Sequence, residues 1–321
     1  MKIEPRTFRE RDIASVTNLY NNLVSEIPCN WPVTEAEFRD EVMGTGRLSN
    51  PDLPFNPGNL LVAWINGSAV GFVHFAVLQE PVIIDAANAT YETSDVETNS
   101  GSKKDFGLIR FLTFPERQPD IGDSLLNAAA DSLRNSGCVR IEAWQMKNGY
   151  PFYTARHGGC WEQSRIANLF LSYGFENYHR EVVFHRAIDF GFAPPEKPNG
   201  TRIVKTEEDF GHGILHQYKI MDGQVMAAQT SWHRMNALSR HPLSHNYGYI
   251  QHVSTAETHR RQGFGSILMQ EMIADMHNAG ITETALHTMF GNIPAIGLYT
   301  KSGFRYIGTN IIFRKSLDTE D

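Results

Sequence analysis

The sequence predicts an α/β (α+β) protein with a mixed central sheet flanked by helices, built twice over in succession. Strand-like and helix-like runs alternate along the 321 residues. One hairpin signal falls in each half, Asn66-Gly67 and Asp222-Gly223. A glycine-bearing turn, Arg260-Arg261-Gln262-Gly263-Phe264-Gly265, joins a strand-like run to a helix-like one.

The first half opens with a strand over 3–8. A helix follows over 12–26, with Ile13, Val16, Leu19, Tyr20 and Leu23 on one face. Thr34 and Glu37 form a capping box for a second helix, 34–43. Strands 60–65 and 69–78 meet at Asn66-Gly67. The stretch 91–105, rich in Ser, Thr and Asn, reads as a long surface loop. Strand 106–114, helix 121–135 ended by Gly137, strand 139–144, helix 165–172 closed by Gly174, and strand 181–188 complete this half.

Residues 191–201 carry Pro194, Pro195, Pro198, Gly191 and Gly200 and are expected to be a linker between domains 1–190 and 202–321. The second domain is short. Only about 15 residues separate the linker from a hairpin of strands 215–220 and 224–230. A strand over 249–255, a helix over 266–277, a strand over 284–289, a short helix after Asn292 and a strand from Phe304 follow.

Composition narrows the function classes. No apolar run approaches a membrane span, and no apolar segment follows Met1 as in a signal peptide. The net charge of −7, from 29 basic and 36 acidic residues, argues against nucleic acid as a main partner. Cys29, Cys138 and Cys160 are odd in number and scattered, which suits a reducing cytoplasm. The loop histidines His233, His241 and His245 lack a zinc-like spacing, so no metal is expected. His157 and Cys160 are near neighbours, which is weak evidence for a nucleophile; Cys160 is read as structural.

The turn at 260–265 carries the chemistry. Two glycines let the backbone approach a ligand closely. The first amides of the helix are unpaired, with the positive end of its dipole behind them. That is a site for a phosphate or pyrophosphate, and Arg260 and Arg261 add positive charge. No Lys follows either glycine, so this is not a P-loop; Leu268 stands where a dinucleotide fingerprint needs Gly or Ala; kinase motifs are absent.

Arg-x-x-Gly-x-Gly at a strand-to-helix junction resembles motif A of the GNAT superfamily of acyl-CoA-dependent N-acyltransferases. Asn292-Ile293-Pro294-Ala295-Ile296-Gly297-Leu298-Tyr299, closing at Gly303-Phe304, resembles the family's motif B. Tyr249 to Thr255 is similar to the family's splayed strand. The resemblance is strong over 213–317, and the element order of the first half matches the same fold. There the motifs are damaged: Pro119 and Asp120 stand in the cradle when Gly122 is set against Gly265, and Phe170 replaces Tyr299. The resemblance therefore implies tandem GNAT folds, the first degenerate and without an intact CoA motif.

It further implies an acetyltransferase that moves acetyl from acetyl-CoA, as co-substrate, to a primary amine by direct attack, preferably on a small molecule. The alternative is a non-catalytic CoA-binding or regulatory module. Backbone groups of Val253, Ser254 and Thr255 would hold pantetheine, and Arg260, Arg261, Gln262, Gly263, Phe264, Gly265 and Ser266 the pyrophosphate. Asn292 would contact the cofactor, and Tyr299 would contact it and serve as general acid. Many relatives carry Glu where this chain has Gln251, so the base is open between His252 and His287. Alternation along a strand places His252 opposite Gln251. The family's first two helices, which wall the acceptor pocket, have no room in the second domain; the first domain or the loop 231–247 would supply that wall. Monomer and homodimer both remain open.

Overall fold

The computed structural model describes residues 3–44, 46–50, 53–78, 106–144, 148–153, 158–189 and 200–317. The loop expected at 91–105 and most of the linker lie outside the described residues. The chain divides into two compact units, Met1–Glu181 with Thr309–Asp321, and Val182–Gly308. These edges fall inside strands β7 (Glu176–Ala187) and β13 (Arg305–Ser316), each of which contributes residues to both units.

In the first unit, β1 (Arg6–Thr7), β2 (Leu60–Ile65), β3 (Ser68–Leu78), β4 (Phe106–Thr113) and β5 (Arg140–Ala143) are neighbours in that order. Only the β4–β5 pair is parallel. The end of β13 pairs antiparallel with β5, Phe313 opposite Ala143. The short β6 (Cys160–Trp161) pairs with β13 at Asn310 and Ile311, and helix α4 (Arg165–Ser172) follows it. The hairpin turn takes left-handed angles at both Asn66 (φ 50°) and Gly67 (φ 81°), as a tight two-residue turn requires. Helices α1 (Ile13–Val24) and α3 (Pro119–Asn135) pack on β3, burying Val16, Tyr20, Leu125 and Ala129. The helix expected over 34–43 is interrupted. Thr34 caps Glu37 as its sequence predicts, but only Glu35–Phe38 (α2) is α-helical and Arg39–Met43 loosens into a π-helix.

The second unit continues β8 (Thr201–Asp209), β9 (Ile214–Asp222), β10 (Val225–Arg234), β11 (Tyr247–Thr255) and β12 (Glu283–Met289), with β7 next to β12. β8 occupies part of the space assigned to linker and loop. Its second half is exposed and polar, so periodicity could not reveal it. Only 210–213 separate β8 from β9, which leaves no room for a helix there. Helix α5 (Phe264–Asn278) lies across β9, β10 and β11. It buries Leu268, Met269, Met272, Ile273 and Met276 against Tyr218, Trp232 and Ile250. Thr230 Oγ1 donates to the β11 carbonyl of His252 at 2.8 Å and lies 3.4 Å from Met272 Sδ, tying helix to sheet. Helix α6 (Ile293–Lys301) follows β12.

None of the three cysteines is in a disulfide. Among the described residues no helix is long and apolar enough to cross a membrane, and no group of three metal-ligating side chains occurs.

Candidate active site

The site begins where two strands part. β11 pairs in parallel with β12 only from Tyr247–Glu283 to Ile250–Leu286, yet it stays antiparallel to β10 as far as Thr255–Ala228. At the parting, Trp232 faces Ile250 and Ser231 faces His252, so Gln251 is an extra, bulged residue. Beyond it, β11 has β10 on one side and no β12 pairing on the other.

The hydrogen-bond pattern fixes which groups face the gap. Ala256 N donates to Ala227 O at 2.9 Å, so in an alternating ladder Ser254 and Ala256 turn their peptide groups toward β10. Val253 and Thr255 then turn theirs away, into the gap, where an extended ligand can pair with them as an added strand would.

The bulge also decides which way the side chains point. Thr230, Trp232 and Ile250 face α5. Cross-strand partners share a face, so His252, opposite Ser231, lies on the side away from α5 together with Tyr249. Simple alternation from Ile250 would have put His252 under α5; the inserted residue reverses this. His252 Nε2 lies 3.1 Å from Gln229 Nε2 and 3.0 Å from Ser254 Oγ. Burial holds its pKa below the ordinary value, so the ring is neutral near pH 7. With the Gln229 amide donating, Nε2 accepts and Nδ1 carries the proton. His287 belongs to the same side: its Nδ1 is 2.9 Å from the hydroxyl of buried Tyr249.

After Thr255 a short 3-10 turn, Glu257–His259, leads into the glycine loop. Arg261 (φ 64°) and Gly263 (φ 88°) are both left-handed. For an arginine that conformation costs about 1–2 kcal/mol, and such strain is concentrated at functional sites. Gly263 is the N-cap of α5 and has no side chain to cap it, so the amides of the first helical turn are left for a ligand. Phe264 anchors the turn by burying its ring edge-on to His259, at 5.6 Å. A Cβ on Gly265 would stand 3.2 Å from Leu298 and 3.5 Å from Thr255 Oγ1, so this glycine allows α5, α6 and the end of β11 to meet. Gln262 folds its side chain back onto the Thr258 carbonyl, leaving its backbone forward. Arg260 and Arg261 are exposed, and Arg260 lies 3.9 Å from exposed Glu257.

Tyr299 is buried on α6, its ring edge-on to Phe184 and Phe304. Burial pushes its phenol well above the ordinary range, and its hydroxyl has no hydrogen-bond partner among the described residues. It is therefore a protonated donor with nothing to donate to among the described residues. Asn292 caps α6, its Oδ1 accepting from Ala295 N at 3.3 Å, while its Nδ2 donates to Thr288 Oγ1 at 3.2 Å. Its side chain is thus held at the end of β12, though it is exposed. Sequence reasoning did not foresee the bulge, the Tyr249 partner of His287, or the Gln229–Ser254 clasp on His252. The bulge leaves no compositional mark; the clasp depends on the cross-strand register it creates.

Residues 185–304 match the model of the acetyltransferase (GNAT) family. The matched segment holds the parting strands, the glycine loop and Tyr299 together. This segment is a GNAT-family domain. Solved structures extend the fold to the whole chain. A tandem GNAT protein from the clavulanic acid biosynthesis pathway, solved without AcCoA, superposes with a TM-score of 0.63 at 12% identity, covering 100% of this chain and 99% of its own. A GCN5-related N-acetyltransferase from Sphaerobacter thermophilus gives 0.61 at 14% identity, over 99% and 97%. The GCN5-related glucosamine N-acetyltransferase region of a fungal multi-domain GH3 beta-N-acetylglucosaminidase gives 0.61 at 13% identity, over 98% of this chain and 38% of that one. No curated protein sequence matches. The tandem GNAT fold thus rests on structural likeness, and the GNAT-family assignment on residues 185–304.

Proposed function

We propose that the chain transfers an acetyl group from acetyl-CoA to a primary amine, by direct attack within a ternary complex, with a small molecule as the preferred acceptor. The observation that carries this reading is the gap beside β11. Peptide groups of Val253 and Thr255 face it, and it runs on into the uncapped start of α5. An extended pantetheine arm lies along the first, with Ser254 between the two contact residues. The pyrophosphate docks on the amides from Gln262 to Ser266, with Arg260 and Arg261 beside it.

Tyr299 is the general acid. A thiolate leaving the tetrahedral intermediate needs a proton, and a buried phenol with no internal acceptor supplies one. Asn292 contacts the arm from the far side of the gap. The base is His252 or His287, which share a face with Tyr249 and lie away from α5. His252 acts through Ser254 Oγ, since its accepting nitrogen is already engaged; His287 acts through Tyr249. The loop after β10 helps wall the acceptor. It is stiffened by Ser244 Oγ donating to the carbonyls of Ser239 and His241. The first unit is a degenerate GNAT fold. Its α3 starts with Pro119 and Asp120, and Phe114 fills the space against Gly122, 2.6 Å from where a Cβ would be. Cysteines outside any disulfide and mild acidity suit a cytoplasmic enzyme.

A second reading is favoured by one observation: the bulged residue is Gln251, which cannot accept a proton. On that reading the domain binds CoA without turnover. Titration calorimetry with acetyl-CoA, followed by thiol release over an amine panel, separates the two. Binding with turnover on at least one amine supports the transferase; binding with none supports the module; no binding removes both.

A further inference from the structure

The first unit repeats the bulge of the second. Along β3 and β4, His74 faces Phe111 and Phe75 faces Ile109, so Arg110 is the extra residue. It comes directly after the last parallel pair of β4 with β5, Ile109–Ala143, as Gln251 comes directly after Ile250–Leu286. The residue at the parting of the strands is therefore arginine in the first unit and glutamine in the second.

Arg110 is only 3% exposed. Nε donates to Asn148 O at 2.9 Å and Nη2 to Gly149 O at 3.3 Å. No carboxylate pairs with it among the described residues, and burial lowers its pKa from the ordinary value. A guanidinium is almost never buried without a counter-charge, and the edge formed by Nη1 and Nη2 still has protons to donate. Around it stand Tyr150, 5.7 Å from the guanidinium carbon, and His74, whose Nδ1 is 3.1 Å from the Tyr150 hydroxyl. Burial and the Arg110 charge keep His74 neutral. The Tyr20 ring packs 5.8 Å from that of Tyr150, and its hydroxyl is fully buried with no partner. Burial, with Tyr153, Tyr150 and Glu37 nearby, pushes the Tyr20 pKa well up. Phe38, Phe111 and Phe152 complete an aromatic wall.

We propose that the first unit is a receptor for a small carboxylate, bound end-on by Arg110 within this aromatic wall. One cation answers one negative charge, and the planar fork matches a carboxylate. A phosphate dianion would leave a second charge buried and unpaired.

The test uses the full chain and three sodium salts, acetate, chloride and phosphate, at fixed ionic strength. Thermal unfolding and titration calorimetry are read for wild type, Arg110→Gln and Arg110→Lys. Acetate is expected to raise the wild-type Tm along a saturating curve, with chloride and phosphate giving none. Arg110→Gln is expected to abolish the response. Should that variant not fold, Arg110→Lys, which keeps the charge but loses the fork, is expected to raise the acetate Kd at least fivefold. The proposal is overturned by an absent acetate response in wild type, an equal response to phosphate, or an unchanged Kd in either variant.

Discussion

Replacing Gly263 separates support of the α5 start from the phosphate binding proposed for it. At φ 88° with no atom within 4 Å of a built Cβ, Gly263→Ala meets no obstacle but pays for a left-handed backbone. That strain is about 1–2 kcal/mol, and the lost affinity for CoA should stay within about thirtyfold even if all of it appears in binding. Gly263→Asp adds a carboxylate roughly 4 Å from a docked phosphate. Opposition between unit charges at that distance is about 1 kcal/mol in bulk water and about 4 kcal/mol near a protein surface. The aspartate should therefore bind CoA about 5- to 1,000-fold more weakly than the alanine variant. Stability should move the other way, because a carboxylate at a helix N-terminus gains about 0.3–1 kcal/mol from the dipole. Titration calorimetry with CoA at low salt, paired with urea unfolding, measures both. An aspartate variant that binds CoA as tightly as the alanine variant would refute a phosphate at this turn.

Tyr299→Phe should lower kcat about 10²–10⁴-fold while leaving the Kd for acetyl-CoA and the Tm near wild type, since the hydroxyl has no internal partner; stopped-flow thiol release checks it. Because burial raises the Tyr299 pKa, the acid form persists above pH 10, and folding stability is present below the unfolded value and lost as pH rises through the folded one. Unfolding followed between pH 8 and 11 should show wild type losing stability that Tyr299→Phe keeps. The lowered His252 pKa has the opposite sign: its stability contribution is present above about pH 6.5 and is lost as pH falls through the folded value, so His252→Gln should flatten the acid side of the stability curve. The same variants decide the base, as loss of the acid limb of kcat/KM in His252→Gln or in His287→Asn names the residue. Met272→Ala, at a fully buried position beneath β10, should cost about 2–5 kcal/mol by urea unfolding.

What the sequence made legible was local chemistry. The hairpin at Asn66-Gly67, the Thr34 cap and the uncapped start after Gly263 each follow from one or two residues whose backbone preferences admit few alternatives. What it concealed depended on pairing. β8 is an edge strand with one side open to solvent, so it never needed an apolar alternation. The helix at 34–43 had the right cap and periodicity, but its second half winds more loosely, burying Glu41, whose Oε2 accepts from Leu48 N at 2.7 Å.

The bulges make the sharpest case. Glycine motifs suggested how the two halves correspond, by setting Gly122 against Gly265, and both glycines do lie against the end of a parting strand, at Phe114 just past β4 and at Thr255, the last residue of β11. The ladder registers give a second, independent correspondence, Arg110 with Gln251 and Phe111 with His252. No residue type announces a bulge, because any residue can be the unpaired one. Yet that one insertion moves His252 from the α5 side to the side of Tyr249 and His287. On the proposed reading, a base on that side would approach the acceptor from the face opposite the helix that would cradle the phosphates, so the amine and the coenzyme would not compete for the same surface. Deleting Gln251 would make Ile250 and His252 neighbours in an unbulged ladder, with His252 still opposite Ser231 and away from α5; if the chain stays folded, the acid limb of the pH–rate profile should persist, and its loss would show that the bulged residue itself is needed.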